Sequence, residues 1–232
     1  MMKIQIQPGD VFKKLTLAIT VLLFMNTLGL ISKFQFDHDN VYGLITLFDF
    51  NQEKNIPTLF SSFLLIITSA VLASITSTQK KLQSPYIAWG GLSLIFMFLS
   101  IDEFVSLHEM LVTPVRTLLN TSGALRYAWV IPYGAMLIVF VISYLKFLYA
   151  LPRKIGTLFI LSGGVYVTGA LGFELIGSWY HDNYGTDNLM YSMIYTTEEL
   201  LEMLGITLFI TTLLLHIGLT YKDAVITINT PE

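Results

Sequence analysis

Six apolar runs, separated by short polar stretches, make up most of the chain. Their lengths predict six membrane-crossing helices over residues 11–31, 56–77, 85–112, 127–148, 155–179 and 189–219, since a helical span needs about 20 residues. The pattern is all-α: a polytopic membrane helix bundle, one transmembrane domain over 1–222, with 223–232 as a flexible tail. The apolar stretch 41–50 is too short to cross and is expected to lie along the interface or over the helix mouths. Asn55 and Pro57 mark the start of the second helix, and Pro114 the stop of the third. That third helix would run about 40 Å at 1.5 Å per residue, so its last turns should project beyond a hydrocarbon core of about 30 Å. Lys13 and Lys14 ahead of the first run resemble the start of a signal peptide. The run is long enough to span, and no small-x-small cleavage pattern follows it, so a retained first helix is expected.

Composition supports this reading. The chain is 54% hydrophobic and 12% charged, with a mean hydropathy of +0.66, whereas soluble domains carry about 25% charged residues. It has no cysteine, which excludes disulfides and thiolate metal sites. The thirteen Lys and Arg are too scattered to form a nucleic-acid-binding face. Nine of them (Lys3, Lys13, Lys14, Lys80, Lys81, Lys146, Arg153, Lys154, Lys222) fall on one side of the expected topology. Lys33, Lys54, Arg116 and Arg126 fall on the other. The positive-inside rule then puts both termini in the cytoplasm of a multi-pass inner-membrane protein, with membrane lipids as its indicated partners.

One stretch breaks the apolar pattern in a way that matters for chemistry. Residues 100–109 read S-I-D-E-F-V-S-L-H-E, so Asp102, Glu103, His108 and Glu109 arrive together where the third span should be leaving hydrocarbon. Counting along the helices puts Glu174, and the trio Glu198, Glu199 and Glu202, at a similar depth near the outer surface. Asp102, Ser106 and Glu109 would share one face of a continuous helix. Tyr191 and Tyr195 precede the trio on its own face.

Intramembrane acids are costly and mark functional sites by default. Seven of them, with only Arg116 and Arg126 nearby, call for cations, protons or water. Carboxylates with histidine and no cysteine are ligands for Zn, Fe or Mn. The Glu-x-x-His spacing of ferritin-like di-metal bundles is absent, because Glu103 and His108 stand five apart. The plainer alternative is that Glu103, His108 and Glu109 are ordinary helix-end groups among headgroups. Asp182, Asp187 and His38 read as loop residues, and His216 as a packing histidine. Tyr86, Trp89, Tyr127, Trp129, Trp179 and Tyr180 sit at helix ends and read as an aromatic belt.

The segments L-F-D-F-N-Q-E-K-N-I-P-T-L-F-S-S (47–62) and L-S-I-D-E-F-V-S-L-H-E (99–109), with the glutamate-rich start of the last helix, resemble a group of uncharacterised bacterial multi-pass inner-membrane proteins. The shared pattern is an acid before N-x-P-T-x-F-S-S, here Glu53, then a D-E-x4-H-E block. The resemblance spans most of the chain and implies a membrane bundle without implying an activity. It leaves open whether the loop with Asp49 and Glu53 joins the site.

The expectation is a metal-binding membrane protein with a carboxylate/histidine site near the outer surface, acting as a hydrolase or oxidoreductase on a lipid-like substrate. Glu103, His108, Glu174, Glu199 and Glu202 are the candidate metal ligands. Asp102 or Glu109 would be the base that takes a proton from metal-bound water, and Tyr195 would donate to a developing oxyanion. A divalent metal is the expected cofactor, and no organic one is indicated. The alternatives are a transporter or proton-relay protein, and a non-catalytic scaffold or sensor.

Overall fold

The computed structural model describes residues 6–221. Among them every regular element is helical, and six helices are long and apolar enough to cross a membrane. The protein is therefore a multi-pass helical membrane protein; the expected tail over 223–232 lies outside the described residues.

The helices are α1 (Pro8–Phe36), α2 (Leu44–Phe48), α3 (Ile56–Lys81), α4 (Ile87–Val105), α5 (Val112–Leu119), α6 (Val130–Ala150), α7 (Arg153–Val167), α8 (Glu174–Tyr184) and α9 (Leu189–Thr220). The spans are α1, α3, α4, α6, the pair α7 and α8 as one long rod, and α9. Local chemistry sets several starts. The Asn55 side chain accepts the Thr58 N–H at the head of α3, and Asn188 accepts the Tyr191 N–H at the head of α9. Each satisfies a donor that the first helical turn leaves orphaned. The expected interfacial stretch at 41–50 forms the single short turn of α2.

Small residues set the packing. Ser62 and Ser100 exchange hydroxyl-to-carbonyl bonds of 2.8 and 2.9 Å between α3 and α4. Ser69 and Ser93 repeat the exchange one layer along, at 2.7 and 2.9 Å. Such bonds hold helices together where no hydrophobic driving force exists between them. Along α9, a side chain at Gly205 would lie 2.6 Å from the Tyr166 backbone nitrogen, and one at Gly169 would lie 2.7 Å from the Glu198 carbonyl oxygen. The α7–α9 seam is thus a backbone-to-backbone contact that only glycine allows.

Three expectations need correction. The third span does not run on to residue 112. It ends at Val105, with Ser106 left-handed at φ 59°; a turn and a short 3-10 segment then lead into α5. The cause is local, because Asp102 Oδ1 accepts the His108 backbone N–H at 2.8 Å and so stabilises the reversal. The fifth span continues to Tyr184 and contains a π-helical segment, Thr168–Phe173. Trp89 and Trp129 are buried, at 3% and 7% exposure, and pack between helices, while Tyr86 and Trp179 are exposed as belt residues would be.

Candidate functional site

The site gathers at the end of the bundle where α1, α4 and α8 finish and α3 and α9 begin. Each element brings its side chain there for a separate reason. The break after Val105 turns His108 and Glu109 back over the end of α4. The loop before α3 is pinned by Asn55, whose Nδ2 donates to the Asp49 and Thr46 carbonyls at 2.7 and 3.2 Å. It is tied again by Asn26 of α1, which accepts the Phe50 N–H and donates to Thr196 Oγ1 of α9. Glu53 is thereby held at the mouth. The π turn shifts the register of the fifth span just before Glu174, a device common at functional sites.

Glu53, His108 and Glu109 offer one ligand atom each, and these atoms all lie within 4.8 Å of one another. Among the described residues no other such group of three or more forms. Glu53 and Glu109 keep an exposed edge and His108 is half-buried. Behind them, Asp102 is buried at 5% exposure and stands 3.4 Å from the His108 ring at Nδ1. Trp129 packs on the other side of that ring, with centroids 4.7 Å apart. Ser106 Oγ is shielded from solvent, its residue only 7% exposed, and it faces the Glu53 carboxyl.

The deeper acids form a second tier. Glu103 lies within electrostatic range of Glu199, Glu53 and Asp102, and Glu202 within range of Glu103, Glu174 and Glu53. Glu202 also faces the Tyr166 hydroxyl. All stay half-buried. Glu174 accepts the Trp129 Nε1–H at 2.6 Å, and its carboxyl meets that of Glu198.

The same face of α8 reads the segment ahead of α6. Ser178 accepts the Tyr127 N–H at 2.9 Å. His181 Nδ1 and the Tyr191 hydroxyl both meet the Tyr127 hydroxyl, at 2.6 and 2.8 Å. Arg126 pairs with Asp182 at 2.8 Å, so Asp182 is a structural clamp and more than a solvated loop residue.

Charge follows from this geometry. Burial pushes the Glu53 carboxyl above its ordinary range, and the Glu109 and Asp102 charges add to that against a lowering by His108. Burial also works against the charged form of His108, yet Asp102 beside the ring, with Glu53 and Glu174, more than offsets it and the imidazole is raised.

His108 and Glu109 are therefore brought together as expected, but with Glu53 as the third member. Glu103, Glu174, Glu199 and Glu202 surround the trio without completing a second close group. Asp102 is engaged by the His108 backbone and ring, which is the place of a group that steers a ligand. Tyr195 lies apart and faces Asp49 across a neighbouring cavity. Residue spacing could not have found Glu53, because it enters from a loop folded over the bundle. Its signal was the acid placed just ahead of the Asn55 cap.

The chain belongs to the family described as Domain of unknown function (DUF8692), whose model matches residues 15–217. No curated protein and no solved structure is matched.

Proposed function

We propose that this family member is a metal-binding inner-membrane protein with both termini in the cytoplasm. Its site near the outer surface performs hydrolytic or oxidative chemistry on a lipid-like substrate. The observation that carries the reading is the convergence of Glu53, His108 and Glu109 within 4.8 Å, with the buried Ser106 hydroxyl facing Glu53. One imidazole and two carboxylates suit Zn, Fe or Mn. When bound, such an ion supplies Lewis acidity and an acidified water.

The chain's own residues do the rest. Asp102 fixes the His108 ring against Trp129, so the ligand is oriented before the ion arrives. Glu103, Glu199 and Glu202, half-buried behind the trio, accept protons released there. The Glu174 and Glu198 carboxyls, which face each other, extend that set of proton acceptors.

Metal analysis of purified protein grown metal-replete tests this, with Glu53→Gln and His108→Ala beside wild type. About one ion per chain is expected in wild type and a loss of at least about tenfold in affinity in each variant. Metal-free wild type sinks the proposal.

A proton-relay reading has one observation in its favour, the hydrogen-bonded chain His181–Tyr127–Tyr191 beside the Glu174–Glu198 pair. Against it stands the opposite half of the bundle, where Leu72, Trp89, Phe159, Phe209 and Leu213 pack into an apolar plug. Proton flux into liposomes, abolished by Glu174→Gln, would favour it.

A further inference from the structure

A cavity of about 140 Å³ lies beside the acid layer, walled by α1, the loop ahead of α3 and the start of α9. At ~30 Å³ per water it holds the bulk of a small polar headgroup and no acyl chain. Its charged groups are of both signs. Lys33 stands at the mouth, bound to Asp187 at 2.8 Å, with Asp187 itself 85% exposed. Asp49 lies inside, with Oδ1 taking the Asn51 N–H at 2.9 Å and the buried Tyr195 hydroxyl facing it. The walls are pre-set, because Asn26, at 2% exposure, bonds the loop on one side and α9 on the other. Leu30 and Ile45 line an apolar flank.

We infer that this cavity binds a small zwitterion, a primary ammonium joined to a phosphate, with the phosphate at Lys33 and the ammonium at Asp49. An anion reaching Lys33 takes the place of Asp187, whose exposed carboxylate returns to water at little cost. A primary ammonium donates to Asp49 and the Tyr195 oxygen, whereas a quaternary one has no N–H to give. A purely anionic headgroup would leave Asp49 facing like charge. The group can be carried on a lipid or arrive free in water. As the substrate pocket of the metal site it rests on the functional reading above; as a binding pocket it does not.

The test uses the full chain in detergent with chelator present, so that failure of metal binding cannot affect the readout. Retention of phosphatidylethanolamine, phosphatidylcholine and phosphatidylglycerol is measured by native mass spectrometry, with free phosphoethanolamine as a competitor. Wild type should hold the ethanolamine lipid at least about tenfold more tightly than the other two, the scale of one charged hydrogen bond. Asp49→Asn should erase that preference, and Asp49→Glu should restore part of it. Lys33→Met should weaken the ethanolamine and glycerol lipids alike. Competition by the free compound assigns the soluble source, and its absence assigns the lipid. Equal retention of all three lipids by wild type, or a preference unchanged in Asp49→Asn, overturns the inference.

Discussion

The bundle contains two histidines packed against tryptophans, one at each end, and they differ in everything except that contact. His216 lies on Trp89 with centroids 4.8 Å apart and planes at 23°, among Leu92, Phe159 and Leu213. His108 lies on Trp129 at 4.7 Å and 55°, with Asp102 at its Nδ1 edge and acids from three other segments around it. At the far end the helices are regular and the core is apolar. At the site end α4 breaks at a left-handed Ser106 and the fifth span passes through a π turn. Irregular backbone and unpaired charge occur together, as expected where function and not packing sets the arrangement.

The seam that joins the two ends gives the largest expected effect. Gly205→Leu puts a side chain 2.6 Å from backbone that cannot yield. A cost on the order of 3 kcal/mol or more follows, or a fall in Tm of about 10 °C in detergent. Gly134→Leu, with nothing within 4 Å of the added carbon, should leave Tm unchanged. A Gly205 variant as stable as the Gly134 one would mean that α7 and α9 do not hold the acid layer together.

Next comes Asp102. Asp102→Asn keeps an acceptor for the His108 N–H but removes the charge that raises the imidazole. Calorimetric titration with Mn²⁺ or Zn²⁺ should show about 10- to 100-fold weaker binding, with the fold intact. Unchanged affinity would reduce Asp102 to a turn-forming residue.

The spans were legible because membrane helices are written in length and hydropathy alone, and α3, α6 and α9 begin and end close to where the runs do. The acid layer was legible from counting residues, since Glu103, Glu174 and Glu202 enter from three helices at one depth. The break at Ser106 was not, because no proline or glycine announces it; its cause is a hydrogen bond from six residues away, Asp102 to His108. Glu53 joins the site through tertiary ties from Asn26 and Asn55, which a linear pattern cannot show. Trp89 and Trp129 were misread for the same reason. An aromatic near a helix end suits the interface, and only the neighbouring helices reveal that it is covered.

The pH response should separate apo from loaded protein. Glu53 is raised from 4.5 and His108 from 6.5. A group whose folded pKa is raised stabilises the fold below its unfolded value and loses that contribution as pH climbs through the folded one. Apo protein should therefore become less stable as pH rises from about 5 to about 8. Cation binding needs neutral imidazole and ionised carboxylates, so affinity should rise over the same range. Thermal unfolding with chelator and with added cation would show opposite slopes. Parallel slopes would place these titrations outside the binding site.

The smallest effect is the sharpest discriminator. His216 Nε2 is shielded and unpartnered, and its Nδ1 has only a 3.3 Å contact to Thr220 Oγ1. A buried unpaired nitrogen costs about 1–3 kcal/mol, and His216→Phe removes it while keeping the stack on Trp89. Stability should stay within about 1 kcal/mol of wild type, leaning upward, and cation affinity should not move. His108→Phe keeps an aromatic ring against Trp129, where the native contact is tilted at 55°, yet it should abolish cation binding because the ligand atom is gone. If neither variant moves cation affinity, the carboxylates around His108 hold no cation and its ring serves packing alone.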